Sequence, residues 1–122
     1  MSNPDIAVRE LDWYLRDHFF RQSAKGKNAF IRESLPNEMV ELYLRYRGND
    51  PRQLSETMTP VIQNLVSRKV VGQNGSELTL NGSLARLQCS KCFYINYLAG
   101  GEPRECMRCS HLELHDFPKK KA

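Results

Sequence analysis

All four cysteines of the 122-residue chain fall in two matched pairs, Cys89-Ser90-Lys91-Cys92 and Cys106-Met107-Arg108-Cys109, with 13 residues between the pairs. Each C-x-x-C turn aims two sulfurs at one point. The intervening stretch returns the second turn opposite the first, which is what a tetrahedral four-thiolate metal site needs. The gap is slightly below the usual span of about 15–20 residues, yet no cysteine is left over. The pattern predicts one structural Zn²⁺ held by Cys89, Cys92, Cys106 and Cys109; an iron–sulfur site and a dithiol pair are the alternatives. Four thiolates close the coordination shell, so the metal is expected to build a fold and to do no chemistry itself. Two disulfides would need an oxidising compartment. Residues 1–20 carry no charged-then-apolar leader, so the expected setting is a reducing one, cytoplasmic or nucleoid-associated. A redox C-x-x-C stands alone beside a βαβ unit, and this sequence has two copies and no such unit. His111 and His115 are near enough to be considered as substitute ligands, but they read as strand residues.

The elements around the pairs are those of a zinc ribbon over residues 87–117. Phe93–Leu98 is rich in strand formers, Ala99-Gly100-Gly101-Glu102 follows as a turn, and His111–His115 alternates polar and apolar residues. Lys91 and Arg108, inside the two knuckles, can offset the net −2 charge of four thiolates around a divalent metal. Knuckles often carry glycine after the second cysteine, whereas this chain has Phe93 and Ser110 there. So short a ribbon buries too little apolar surface to fold alone, and the metal must supply much of its stability.

The net charge of +4 is concentrated at the end of the chain. Residues 1–36 and 37–88 each carry six basic and five acidic side chains, and Lys119-Lys120-Lys121 supplies most of the surplus. A near-neutral body does not attract phosphate as a whole, so any nucleic-acid surface must be a local patch. No apolar run approaches the length of a membrane span, and no membrane partner is expected.

Residues 1–36 read as an N-terminal helix and its connection. Asn3-Pro4 is a cap followed by proline at the first helical position, and Val8, Leu11, Leu15 and Phe19 recur at helical spacing to about Gln22. Trp13, Tyr14 and Phe20 widen that apolar face, which suits the domain core, or a partner helix in a homodimer. A second helix is predicted over Asn37–Arg47, with Met39, Val40, Tyr43 and Tyr46 inward and Gly48 as its stop. Asp50-Pro51 starts a short third helix. Thr59-Pro60 repeats the signal and predicts a break, with a fourth helix over Pro60–Lys69 striped by Val61, Ile62, Leu65 and Val66. Val70-Val71 and Glu77–Leu80 flank Asn74-Gly75, which predicts a β-hairpin.

Short helices followed at once by a hairpin describe a winged helix-turn-helix over residues 37–86, giving an α+β chain that ends in the ribbon and a basic tail, 118–122. In such a domain the second helix enters the major groove. Opposite its apolar stripe, Pro60–Lys69 presents Gln63, Asn64, Ser67 and Arg68, with Lys69 near its end. Gln and Asn can bond adenine, Arg can bond guanine, and Lys69 and Lys119, Lys120 and Lys121 can take phosphate.

A winged helix joined to a C-terminal four-cysteine ribbon resembles the organisation of transcription-machinery factors, notably archaeal transcription factor E and its eukaryotic relatives. The residues carrying the resemblance are Pro60–Lys69 with its hairpin and the four cysteines. The chain lacks the longer helical linker that those factors place between the two modules. The resemblance implies docking onto RNA polymerase and duplex DNA, without catalysis. The expected function is that of a zinc-containing DNA-binding transcription regulator or machinery factor. The alternative is a non-catalytic interaction subunit of a larger assembly, which the uncharged hairpin tip and aromatic first helix favour. An enzyme is not expected: Glu10 and Asp12 have no catalytic partner in view, His18 reads as packed, and no phosphate-cradling glycine loop occurs.

Overall fold

The computed structural model describes residues 8–44 and 50–117; the Asn3-Pro4 cap, Tyr46, Arg47, Gly48 and the lysine tail fall outside the described residues. The chain is α+β. Three α-helices, α1 (Val8–Ala24), α2 (Leu35–Leu42) and α3 (Pro51–Ser67), accompany strands β1 (Ala29–Ile31), β2 (Val71–Asn74), β3 (Glu77–Leu80), β4 (Ala85–Cys89), β5 (Ile95–Leu98) and β6 (Leu114–Asp116). The strands form two antiparallel three-stranded sheets, ordered β1-β3-β2 and β5-β4-β6.

α1 turns most of its predicted stripe inward, burying Leu11, Leu15 and Phe19 completely, whereas Val8 in its first turn is exposed. α2 begins at Leu35, earlier than the expected Asn37, because Pro36 suits a first helical turn where its missing N–H is no loss. Asp50 caps α3 as expected, accepting a 3.0 Å hydrogen bond from the Arg52 backbone N–H. Leu54, Met58, Val61, Ile62 and Leu65 then recur along its buried face.

The predicted break at Pro60 does not occur: α3 runs through it. Pro60 cannot donate to the Glu56 carbonyl. It lies on the exposed face, where a freed carbonyl can turn to water. Neighbouring donors brace the same turn. Thr59 Oγ1 donates to the Ser55 carbonyl at 3.2 Å, and Arg32 donates to that carbonyl at 2.7 Å. Thr59 is therefore an interior residue of one long helix rather than a cap.

Two strands were not anticipated as such. β1 follows the polar Ser23–Asn28 connection and buries a single residue, Phe30, so it has almost no pattern to read. It pairs with β3, adding a third strand to the predicted hairpin, whose turn places Gly75 at φ +61°. Ala85–Cys89, which spans the expected boundary between winged helix and ribbon, forms β4, the central strand of the second sheet.

The second sheet is fastened to α1 through buried polar groups. Arg16 is fully buried, and its guanidinium meets Glu102 in a fork, with Nη1–Oε1 at 2.6 Å and Nη2–Oε2 at 2.9 Å. Its Nε donates to Asp12, and Nη1 also donates to the Tyr97 carbonyl at 2.6 Å. Glu102 further accepts from the Ala99 N–H at 2.8 Å and lies 2.9 Å from Arg68 Nε. The next residue of α1, Asp17, accepts from the hydroxyls of Tyr97 and Tyr43 and from Arg21. Trp13 Nε1 donates to the Ile95 carbonyl at 2.7 Å. Aromatic packing surrounds these bonds, with Tyr97 centred 5.5 Å from Trp13 and 5.2 Å from Phe20. Arg86 of β4 stacks its guanidinium over Phe20, Tyr97 and Phe117, at 5.6, 5.9 and 5.1 Å.

Burial alone would push both carboxylic acids up, but their donors outweigh it. Arg16 and the Ala99 N–H hold Glu102 below its ordinary 4.5, and the tyrosine hydroxyls with Arg21 hold Asp17 below 3.8. A depressed carboxyl pKa stabilises the fold above its unfolded value and loses that contribution as pH falls through the folded value. Glu102→Ala should therefore cost about 3–5 kcal/mol at neutral pH, since it leaves a buried cation short of its partner. Urea unfolding across pH should show that the gap between Glu102→Ala and the natural chain is constant above the ordinary value of 4.5 and closes on further acidification.

Candidate metal centre

The two C-x-x-C turns are built alike. Cys89 ends β4 and is fully buried, and Cys106 is nearly so; Cys92 and Cys109 are half-buried at the outer side. In each turn the carbonyl of the first cysteine accepts from the residue after the second. Phe93 N–H bonds Cys89 O at 3.0 Å, and Ser110 N–H bonds Cys106 O at 2.8 Å. Closing the turn this way requires a left-handed residue, and Phe93 (φ +63°) and Ser110 (φ +66°) both adopt it. They take the conformation that glycine would have supplied, each at a cost of roughly 1–2 kcal/mol.

The four sulfurs lie within 4.8 Å of one another and can hold one metal ion. All four are free thiols. Sγ of Cys89 and Cys109 are 3.5 Å apart, and those of Cys92 and Cys106 are 3.6 Å apart. A tetrahedron with metal–sulfur bonds of about 2.3 Å has edges of about 3.8 Å, so the sulfurs already stand close to coordinating positions. Backbone N–H groups point at the inner pair: Lys91 and Cys92 at Cys89 Sγ (3.3 and 3.4 Å), and Arg108 at Cys106 Sγ (3.4 Å). Burial alone would raise the Cys106 thiol, but the Cys109 and Arg108 N–H groups and the Asn96 side chain bring it down to about 6. Cys89 is lowered for the same reasons, its own donors being Cys92 and Lys91. For Cys109 the His111 N–H favours the thiolate, but desolvation and the three neighbouring sulfurs prevail and push it up to about 12.

Asn96, fully buried in β5, orients the second turn by accepting from the Met107 N–H at 2.8 Å. Nothing in the sequence marked it. His111 and His115 are outside the cluster of potential ligands. His115 sits in β6 opposite Gln88, and His111 contributes its backbone carbonyl to the Cys106 N–H. His18 is buried against Phe30 and Phe19, with Nε2 3.3 Å from a Glu38 oxygen.

Of the residues expected to face DNA, Gln63, Asn64 and Ser67 share the exposed face of α3. Arg68 sits at its C-cap and is engaged with Glu102. Lys69 is exposed in a left-handed conformation (φ +62°), its carbonyl bonded by Asn81 Nδ2. Lys119, Lys120 and Lys121 lie outside the described residues. Among the described residues no helix is long and apolar enough to cross a membrane.

Compared with known proteins, the chain matches no family model, and neither the curated proteins nor the solved structures yield a match.

Two outcomes follow from the geometry. Cys106→Ser should lose stoichiometric metal, measured by elemental analysis of the purified protein, because serine cannot replace a buried thiolate ligand. Phe93→Gly should raise the stability of the metal-loaded chain by about 1 kcal/mol in urea, by removing left-handed strain from a side chain that is 67% exposed. Phe93→Ala, which keeps the strain, should give no such gain.

Proposed function

We propose that the chain is a non-catalytic, zinc-stapled DNA-binding protein of the transcription apparatus, a regulator or a machinery factor, that reads duplex DNA with α3. The element order α1-β1-α2-α3-β2-β3, with β1 beside β3, supports the reading of a winged helix in which α1 and β1 take part. The observation that carries the proposal is the polar face of α3. Gln53, Glu56, Pro60, Gln63, Asn64 and Ser67 form one exposed stripe, opposite the buried one, on a helix that runs directly into the β2–β3 hairpin. A long helix with an uninterrupted polar face can enter a major groove about 12 Å wide, where Gln and Asn side chains can bond adenine edges. Arg68, held by Glu102, serves the α3–ribbon contact in this reading, which leaves Gln63 and Asn64 as the base-reading side chains.

Zinc is the ion that suits the site: four thiolates, tetrahedral spacing and no open position. Its role is structural. Zinc binding to such ligands is worth about 10–16 kcal/mol in isolated fingers, as much as the whole stability of a typical domain. Because Tyr97 and Glu102 come from the ribbon, the same energy bears on how α1 and α3 are held.

A second reading, an interaction subunit docking on polymerase or another assembly, is favoured by two observations. The hairpin tip Gln73-Asn74-Gly75-Ser76 offers no cation to a phosphate backbone, and Phe93 and Leu112 are exposed beside the metal turns.

Fluorescence anisotropy with random duplex DNA separates the two. Zinc-loaded protein should bind at low salt, with affinity falling steeply as salt rises. The double variant Gln63→Ala/Asn64→Ala should weaken a selected site by about 1–3 kcal/mol per lost base contact while leaving the fold intact. Absence of binding at low salt would sink the duplex reading in favour of the interaction subunit.

A further inference from the structure

An open groove of about 380 Å³ runs between the first turns of α1 and the metal-bearing unit, lined by Arg9, Glu10, Trp13, Tyr14, Tyr94 and Arg108. A smaller bay of about 140 Å³ continues it toward Asp12 and Met107. Three aromatic rings and two guanidiniums thus face one cleft that has no part in α3 or the hairpin.

The side chains there are prepared in a particular way. Trp13 and Tyr14 meet edge to face, 5.7 Å between centroids and 79° between planes, so they form a corner rather than a closed stack. The single N–H of the indole is already bonded to the Ile95 carbonyl, which pins the ring and leaves it only its face to offer. Arg108 is exposed, and Arg9 makes one long contact, 3.4 Å from Nη2 to the Met107 carbonyl. Of the two acids nearby, Asp12 is neutralised by Arg16, and Glu10 is bonded by the Tyr14 hydroxyl at 3.4 Å. The lining therefore sets the guanidiniums of Arg9 and Arg108 beside the single carboxylate of Glu10.

We infer that this groove binds single-stranded nucleic acid, an unpaired base stacking on Trp13 and Tyr94 while the flanking phosphates pair with Arg9 and Arg108. Aromatic platforms beside guanidiniums are what sequence-tolerant single-strand binding needs, because every base has a π-face and every nucleotide a phosphate. An extended peptide fits less well. It brings a carbonyl and an N–H per residue, and the indole donor that would meet a carbonyl is committed to Ile95. The inference does not depend on α3 reading duplex DNA.

Trp13 is the chain's single tryptophan, so its emission reports on this groove alone. Titrating the full zinc-loaded chain with a short oligothymidylate should quench that emission saturably. The double variant Arg9→Gln/Arg108→Gln changes only exposed side chains. It should weaken the quenching titration by about tenfold or more, with zinc content and circular dichroism unchanged. Tyr94→Leu should weaken it similarly, while anisotropy with duplex DNA stays as in the natural chain. No quenching by oligothymidylate would overturn the inference, as would quenching that ignores the arginine substitutions. Equal quenching by duplex would overturn single-strand selectivity. Quenching by an acidic proline-rich peptide but not by the oligonucleotide would reassign the groove to a protein partner. Loss of duplex affinity with retained quenching would strike the α3 proposal and leave this one standing.

Discussion

A guanidinium buried with no exposed surface is the constraint on which the rest of this structure depends. Arg16 lies inside the core, and an unpaired charge there would be prohibitive. Its charge is balanced by Asp12, one turn back on the same helix, and by Glu102, 86 residues away in the turn after β5. Glu102 reaches Arg16 only if β5 is paired with β4 and the turn after it is closed. Arg68 then caps the arrangement from the end of α3. A helix, a metal-bearing sheet and the last turn of α3 therefore meet at one ionic cluster, and none of them can shift without exposing it. The neighbouring Asp17–Tyr97 bond and the Arg86 stack repeat the same attachment with different chemistry.

This joint changes how the metal should be regarded. A small four-cysteine unit at the end of a tether would fold and unfold by itself. Here Tyr97 belongs to the same apolar cluster as Leu11, Phe19 and Leu65, while Leu87, Leu98 and Leu114 form a second cluster with the cysteines. β5 contributes to both. Metal bound by four sulfurs thus supports not only its own sheet but also the surface against which α1 is laid. The fold and the site are coupled through particular residues, Asn96 toward the metal and Tyr97 toward the helix, adjacent in sequence and pointing to opposite sides of one strand.

How much of this was legible follows the range of each signal. The ligand set could be read directly, because identity and spacing of the cysteines are the chemistry. The Asp50-Pro51 cap, the Asn74-Gly75 hairpin and the stripe of α3 were legible too, since each is decided within a few residues. Pro60 misled because a proline's effect depends on which face it occupies. On the exposed face, with Arg32 and Thr59 bracing the turn, the helix continues. β1 was missed because a strand of three residues has almost no pattern to read, and β4 because its alternating Ala85–Cys89 straddles the boundary expected between winged helix and ribbon. Arg16 was invisible for the opposite reason. A charged residue on a helix is ordinarily solvated, and nothing local announces that its partner waits in a glycine-rich turn near the other end of the chain. Phe93 and Ser110 show that a knuckle imposes its backbone geometry on whatever residue stands there.

The long reach of the Arg16–Glu102 bond bears on the order in which the chain can acquire its structure during synthesis. α1 is synthesised well before the partners of Trp13, Arg16 and Asp17, which lie at Ile95, Tyr97 and Glu102. Until those residues follow, Arg16 has only Asp12 of its own helix as a partner, and the aromatic face of α1 lacks their cover. The chain thus stays open to premature contacts until those residues have been added. The second core cluster, which contains Cys106 and Leu114, can close only after the first, so the two halves of the fold are completed in sequence order.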